Sequence, residues 1–193
     1  MKKSIQSIIA DSIAAKTALL NSEPLINTIH KAVQEIVNAY QQGHKVLFCG
    51  NGGSAADAQH IAAELSGRFY LDRRPLYAEA VHTNSSYLTA VANDYGYDEV
   101  FSRLVRAMGS KGDIFVGIST SGNSTNILRA VETAAELGLT TIGMTGAKGG
   151  KMKAACTYLI NVPSDDTPRI QESHILIGHI ICELVETELF GKQ

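Results

Sequence analysis

The sequence predicts an α/β protein, a three-layer sandwich with a central five-stranded parallel sheet flanked by helices. Three observations predict it. Short continuous apolar runs, such as KVLFCG at 45–50 and GDIFVGIST at 112–120, suit strands buried on both faces. Segments with apolar residues at helical spacing alternate with those runs. Two runs also open into Gly/Ser/Asn turns, NGGS and SGNS, that lead straight into helices. Alternation of this kind is the mark of a parallel sheet covered on both sides.

The elements follow in order. Ile5, Ile8, Ile9 and Ile13 recur at helical spacing, and so do Leu25, Ile26, Ile29, Val33, Ile36 and Val37. The first forty residues are therefore two helices. Pro24 suits the first turn of the second, and Gly43 ends it. KVLFCG is the first strand, followed by a helix from about Ala55 to Gly67. YAEAVHT (77–83) is the second strand, with a short helix near Ser86–Ala92 behind it. GDIFVGIST is the third, and SGNSTNILRAVETAAELG (121–138) is a helix ended by Gly138. TTIGMTG (140–146) and TYLINVP (157–163) are the fourth and fifth strands. A long helix from Pro168 to about Leu189 closes the chain, with Ile170, Ile177, Ile181 and Val185 on one side.

Bulk properties narrow the function. The 193 residues suffice for one domain with a sizeable core, and no composition break marks a second. Net charge is −2, which gives no electrostatic case for nucleic acid. The opening MKKSIQSIIADSIAAK lacks a long apolar stretch, so neither a signal peptide nor a membrane span is expected. Cys49, Cys156 and Cys182 form no C-x-x-C pattern, and the expected compartment is the reducing cytoplasm.

Folds of this kind bind ligands at the carboxyl ends of their strands, which directs attention to the two turns. STSGNST (119–125) offers hydroxyls from Ser119, Thr120, Ser121, Ser124 and Thr125, a flexible Gly122, and the amino end of a helix. That is a cradle for a phosphate. One serine would suffice as a helix cap; five hydroxyls in seven residues favour an anion. With no G-x-x-x-x-G-K-[ST] sequence, the cradle suits a small phosphomonoester rather than ATP. CGNGGSA contains G-x-G-x-x-A, but the next strand ends in His82-Thr83, and Asp72 falls in a loop before it. The acidic residue a dinucleotide site needs is therefore missing.

His60 and Glu64, four apart, share one helix face just beyond the first turn. The last helix adds Gln171, His174 and His179, three polar groups among apolar ones. His60, Glu64, Gln171 and one of the two histidines could make a site of N and O atoms for Zn²⁺ or another divalent ion. At about 100° per residue, His174 and His179 lie roughly 60–80° either side of Gln171, so spacing does not choose between them.

CGNGGSAADAQHIAAELSGRF, VANDYGYDEVFSR, GDIFVGISTSGNS, TGAKGGKM and RIQESHILIGHIICELVE together resemble the phosphoheptose isomerases, of the sugar isomerase (SIS) fold, a flavodoxin-like arrangement. The resemblance covers nearly the whole chain and is most specific from Cys49 to Glu186. It implies a single SIS domain over 1–193, with the helices of about 1–42 packing in a homotetramer. It implies a ketose–aldose isomerase that converts D-sedoheptulose 7-phosphate to D-glycero-D-manno-heptose 7-phosphate, the first step toward the ADP-heptose of lipopolysaccharide core. Carried over by position, substrate contacts fall on Asn51, Gly52, Gly53, Ser54, Glu64, Asn93, Asp94, Ser119, Thr120, Ser121, Ser124 and Gln171. Zinc, one per subunit, falls on His60, Glu64, Gln171 and His179, and the catalytic pair on Glu64 and His179. A rival comes from a similar sequence that serves as a non-catalytic tetrameric partner of the replication initiator DnaA. That relative lacks the glutamate and the last histidine, both present here.

Overall fold

The computed structural model describes residues 2–191. Its centre is a five-stranded all-parallel sheet: β1 (Val46–Gly50), β2 (Ala78–Ala80), β3 (Ile114–Ile118), β4 (Thr140–Thr145) and β5 (Tyr158–Asn161). Their spatial order is β2-β1-β3-β4-β5. The chain winds outward from β1 to β2, then returns to place β3 on the other side of β1. The crevice between the carboxyl ends of β1 and β3 is thus the point where winding reverses, the usual ligand position in such sheets. Register puts Gly50 of β1 opposite Ile118 of β3, so the turns after both strands emerge side by side.

Eight helices accompany the sheet among the described residues. They are α1 (Lys2–Leu20), α2 (Glu23–Gln41), α3 (Gly53–Ser66), α4 (Ser85–Tyr95), α5 (Val100–Met108), α6 (Thr125–Glu136), α7 (Met152–Ala155) and α8 (Thr167–Phe190). Strand side chains alternate between two cores, because the strand period is two. Val46, Phe48, Val116, Ile142 and Ile160 enter one core with α2, α3 and α8. Leu47, Cys49 and Phe115 enter the other, with α5, α6 and Met152. Each buried Val, Leu, Ile or Phe side chain contributes about 1.5–3 kcal/mol by leaving water.

The predicted architecture is the one observed, with differences at element ends. The second strand pairs only over Ala78–Ala80, since Val81 to Thr83 turn away from the sheet edge. The helix after it is longer than predicted, Ser85–Tyr95: the side chain of Asn84 fixes its start by accepting from the Tyr87 amide at 3.0 Å, and it runs on to Gly96, whose φ of 90° ends it. The helix α5 is not among the elements expected from the sequence. Its Val100, Phe101, Leu104, Val105 and Met108 recur at helical spacing, a signal hidden by the polar VANDYGYDE run before it. In α1, Ile5, Ile8, Ile9 and Ile13 each remain more than half exposed. Their stripe therefore faces away from the core of this chain.

Candidate active site

The first turn leaves β1 at Gly50. Gly52 adopts φ 56°, ψ −121°, a conformation costly for any residue with a Cβ, and α3 starts at Gly53. Asn51 in this turn exchanges two hydrogen bonds with Asn126 of α6: each amide nitrogen donates to the other's oxygen, at 2.9 and 3.0 Å. Tyr97 donates its hydroxyl to the same Asn51 oxygen at 3.1 Å. Neither Asn126, buried at 3%, nor Tyr97 was singled out from the sequence. Their chemistry is ordinary, and only the sheet topology brings them to this loop. Ser54 is buried in the first turn of α3.

The second turn leaves β3 at Ile118. Ser119 is buried, and its hydroxyl lies 3.0 Å from that of Ser124. Ser124 holds the cap position of α6, yet its side chain caps no amide of that helix. Among the first-turn amides of α6, that of Ile127 donates to the Asn126 side chain at 3.0 Å, while those of Thr125 and Asn126 have no side-chain partner, and the positive helix end faces the crevice. Thr120 and Ser121 complete the turn. The Thr120 carbonyl accepts from the Gly146 amide at 2.9 Å, and the Gly122 carbonyl from Met152 at 3.1 Å, which pins the turn to the TGAKGG loop. Asn93 and Asp94 are exposed at the end of α4 and bonded to one another at 2.9 Å.

Two turns into α3, His60 Nε2 lies 3.0 Å from Glu64 Oε1. From α8, His179 brings its Nε2 to 3.4 Å from that of His60, with the rings edge to face. One ligand atom from each of the three falls within 4.8 Å of the others, a group that could hold a metal ion. Gln171 lies two turns earlier on α8, its amide directly over the Cα of Gly53. The crossing of α3 and α8 is tight. A Cβ on Gly178 would lie 2.4 Å from Ile61 Cδ1, so the glycine beside His179 lets α8 approach the helix that carries His60.

His174 is separated from this group. It is fully buried, with Nε2 3.2 Å from the Thr145 carbonyl oxygen, to which it donates as the neutral ring. Burial pushes its pKa down to about 4, against the raising effect of that hydrogen bond. His174 is a core residue that ties α8 to the end of β4. Asp57, one turn before His60, has its carboxyl pKa raised by burial against the lowering influence of His60.

Beneath the α3–α8 crossing lies a buried ion pair absent from the sequence reading. Glu186 of α8 accepts from the backbone amides of Phe69 (3.1 Å), Tyr70 (2.7 Å) and Leu71 (2.9 Å), and from Arg73 Nε (2.8 Å). Burial acts to raise its pKa, but these four donors prevail and hold it below the ordinary glutamate value.

A parallel sheet reversing at β1/β3, with a hydroxyl-lined helix start and a His/Glu/His group, defines a sugar-phosphate-handling class of α/β protein. Comparison with known proteins agrees. A family model described as SIS domain matches residues 10–146, and the chain belongs to that family. Within it, the chain belongs with the phosphoheptose isomerases. It is 56% identical over 188 residues to phosphoheptose isomerase 2 of Campylobacter jejuni, covering 97% of this chain and 94% of that one. It is 54% identical over 193 residues to the phosphoheptose isomerase of Aneurinibacillus thermoaerophilus, covering 100% and 98%. The structure of phosphoheptose isomerase GmhA from Neisseria gonorrhoeae superposes with a TM-score of 0.91 at 43% identity, covering 96% of this chain and 98% of that one.

Proposed function

We propose that this chain is a ketose–aldose isomerase that converts D-sedoheptulose 7-phosphate to D-glycero-D-manno-heptose 7-phosphate. The observation that carries this reading is the meeting of His60 and Glu64 of α3 with His179 of α8, in a chain so similar to phosphoheptose isomerases. No relationship to a DnaA partner emerges from the relatives described above, which are phosphoheptose isomerases.

The reaction moves one proton between carbons and one between oxygens. A base removes a proton from C1 of the ketose, and the electron pair forms the C1–C2 double bond as O2 gains a proton. The enediol then takes a proton at C2 and gives one up from O1, leaving the aldehyde. We assign the carbon proton to Glu64. His60 engages its Oε1 at 3.0 Å, which leaves Oε2 to act as base. His179 serves the oxygens. Ser119, Thr120, Ser121 and Ser124, with the start of α6, hold the 7-phosphate and fix the register of the reacting end. Asn51, Gly52, Gly53, Ser54, Asn93, Asp94 and Gln171 line the path between them.

The donor set fits zinc. A tetrahedral ion with ligands at about 2.0–2.1 Å has ligand–ligand edges of about 3.3 Å, close to the 3.4 and 3.0 Å separations around His60 Nε2. His60 Nε2, Glu64 Oε1 and His179 Nε2 would hold it, leaving Glu64 Oε2 and His179 Nδ1 for proton transfer; Gln171, whose amide lies over Gly53 two turns away, would have to move to join them as fourth ligand. When bound, the ion polarises the substrate oxygens. The exposed Ile5, Ile8, Ile9 and Ile13 support a homotetramer that buries α1. Three free thiols, two of them buried, suit a cytoplasmic enzyme; among the described residues no helix is long and apolar enough to cross a membrane. The product would feed ADP-heptose synthesis for lipopolysaccharide core.

The test is turnover in D₂O followed by NMR, with and without chelator. The expected result is the heptose aldose, carrying deuterium at C2 through exchange at the enediol. Folded, metal-replete protein that forms no aldose would overturn the reading.

A further inference from the structure

We propose that Arg73 and Glu186 are positioning residues for the reactive group, and that with Phe69 they set the spacing of His60, Glu64 and His179. The proposal rests on the reading of those three residues as the reactive group.

The argument begins with hydrogen-bond capacity. An ionised carboxylate offers about four acceptor positions, and Glu186 uses two at each oxygen: Tyr70 and Leu71 amides on Oε1, Phe69 amide and Arg73 Nε on Oε2. Its side chain is 3% exposed and that of Arg73 is 2%. The rest of the guanidinium caps the end of α3. Nη2 donates to the carbonyl of Glu64 itself at 3.0 Å, and Nη1 to those of Leu65 at 2.9 Å and Gly67 at 3.3 Å. The last carbonyls of a helix have no partners within it, and here one side chain supplies them at the residue that carries the proposed base.

Both ends of the pair reach the reactive group. Glu186 lies seven residues beyond His179, two turns along nearly the same face of α8. Arg73 therefore grips the helix of His60 and Glu64, while its partner carboxylate belongs to the helix of His179. The 69–71 loop adds a third contact. Glu186 holds the Phe69 amide, and the Phe69 ring lies 5.8 Å from that of His179. A ligating or proton-carrying imidazole needs its ring plane fixed, and neighbours just outside such groups do this. The phosphate cradle, on β3 and α6, takes no part in this network.

The test compares wild type with Glu186→Gln, Arg73→Lys and Phe69→Leu. Zn²⁺ affinity of the metal-free proteins is measured by competition with a chromophoric chelator, alongside kcat, KM and thermal unfolding. Glutamine presents an amide donor toward Arg73 Nε or the Phe69 amide, and lysine cannot reach several carbonyls at once. The expected result is a 10- to 100-fold loss of zinc affinity for the Glu186 and Arg73 variants, with kcat down about tenfold or more. KM stays within about threefold, because the phosphate contacts are untouched. Phe69→Leu shows the same pattern at smaller size, and as a half-buried apolar exchange it serves if the charged variants do not fold. Folded variants with lower melting temperatures but wild-type zinc affinity and kcat would overturn the proposal. So would a rise in KM alone. Failure of the wild type itself to bind zinc or turn over would instead bring down the reading on which the proposal stands.

Discussion

The turns of α8 around His174 and around His179 lie five residues apart and do opposite work. His174 is fully buried, neutral, and bonded to the backbone of β4. His179 is partly open to solvent and meets His60 at 3.4 Å. The same side chain is structural in one turn and, in our reading, chemical in the other. The difference lies in what each face of the helix meets: the sheet on one side, the polar face of α3 on the other. Residue type alone therefore says little about a histidine's role, and helix rotation decides it.

Four experiments can break or sharpen this contrast, from the largest expected effect to the smallest. Glu64→Gln and His179→Gln lower kcat at least about 10²-fold, the scale of a lost acid–base group. Both sites are at least partly exposed, so melting temperature changes little. Loss of activity with His174→Gln and none with His179→Gln would show that the roles are reversed.

His174→Ala removes a buried ring and its hydrogen bond, and leaves a cavity beside the Thr145 carbonyl, which keeps only its bond from the Val162 amide at 2.8 Å. It should cost about 3 kcal/mol, a fall of about 6–12 °C in melting temperature for a chain of this size. Measured well below that temperature, kcat stays within a few-fold of wild type. Gly178→Ala tests the crossing between the two turns. Ile61 must move to admit the methyl group, at a cost of about 1–2 kcal/mol, and the spreading of α8 from α3 lowers kcat as well. A variant with full activity would show that the close approach is packing alone.

The smallest effect is in pH. The His174 pKa is depressed to about 4 in the folded chain, below the ordinary histidine value of 6.5. The unfolded chain therefore binds the proton first. The stability from keeping the ring neutral is fully present above pH 6.5 and is lost as pH falls from there toward 4. At pH 5.5 the loss is about 1 kcal/mol. Urea unfolding of wild type against His174→Gln over pH 4–7 isolates it, because Glu186 and other carboxylates titrate in both. Equal slopes for the two proteins would contradict the assignment.

Much of this was legible in the sequence. KVLFCG, GDIFVGIST and TTIGMTG read as buried strands because continuous apolar runs leave few other choices. The two Gly/Ser/Asn turns could be placed at strand ends for the same reason. Strand order could not be read, and with it went Asn126 and Tyr97, which reach Asn51 only through the fold. Glu186 was invisible for a further reason. In ICELVE it reads as one more acid on a solvated face, and nothing local shows that three amides and an arginine from a distant loop converge on it. Gln171, His174 and His179 stood out as polar groups in an apolar helix, yet spacing left the histidines equivalent. Their rotation relative to the sheet separates them.

The most direct test of the account is the rate of aldose formation from sedoheptulose 7-phosphate by metal-replete wild type and by Glu64→Gln, measured side by side on folded protein. The account predicts steady conversion by the wild type and at least a 10²-fold slower rate in the variant. Equal rates would contradict it.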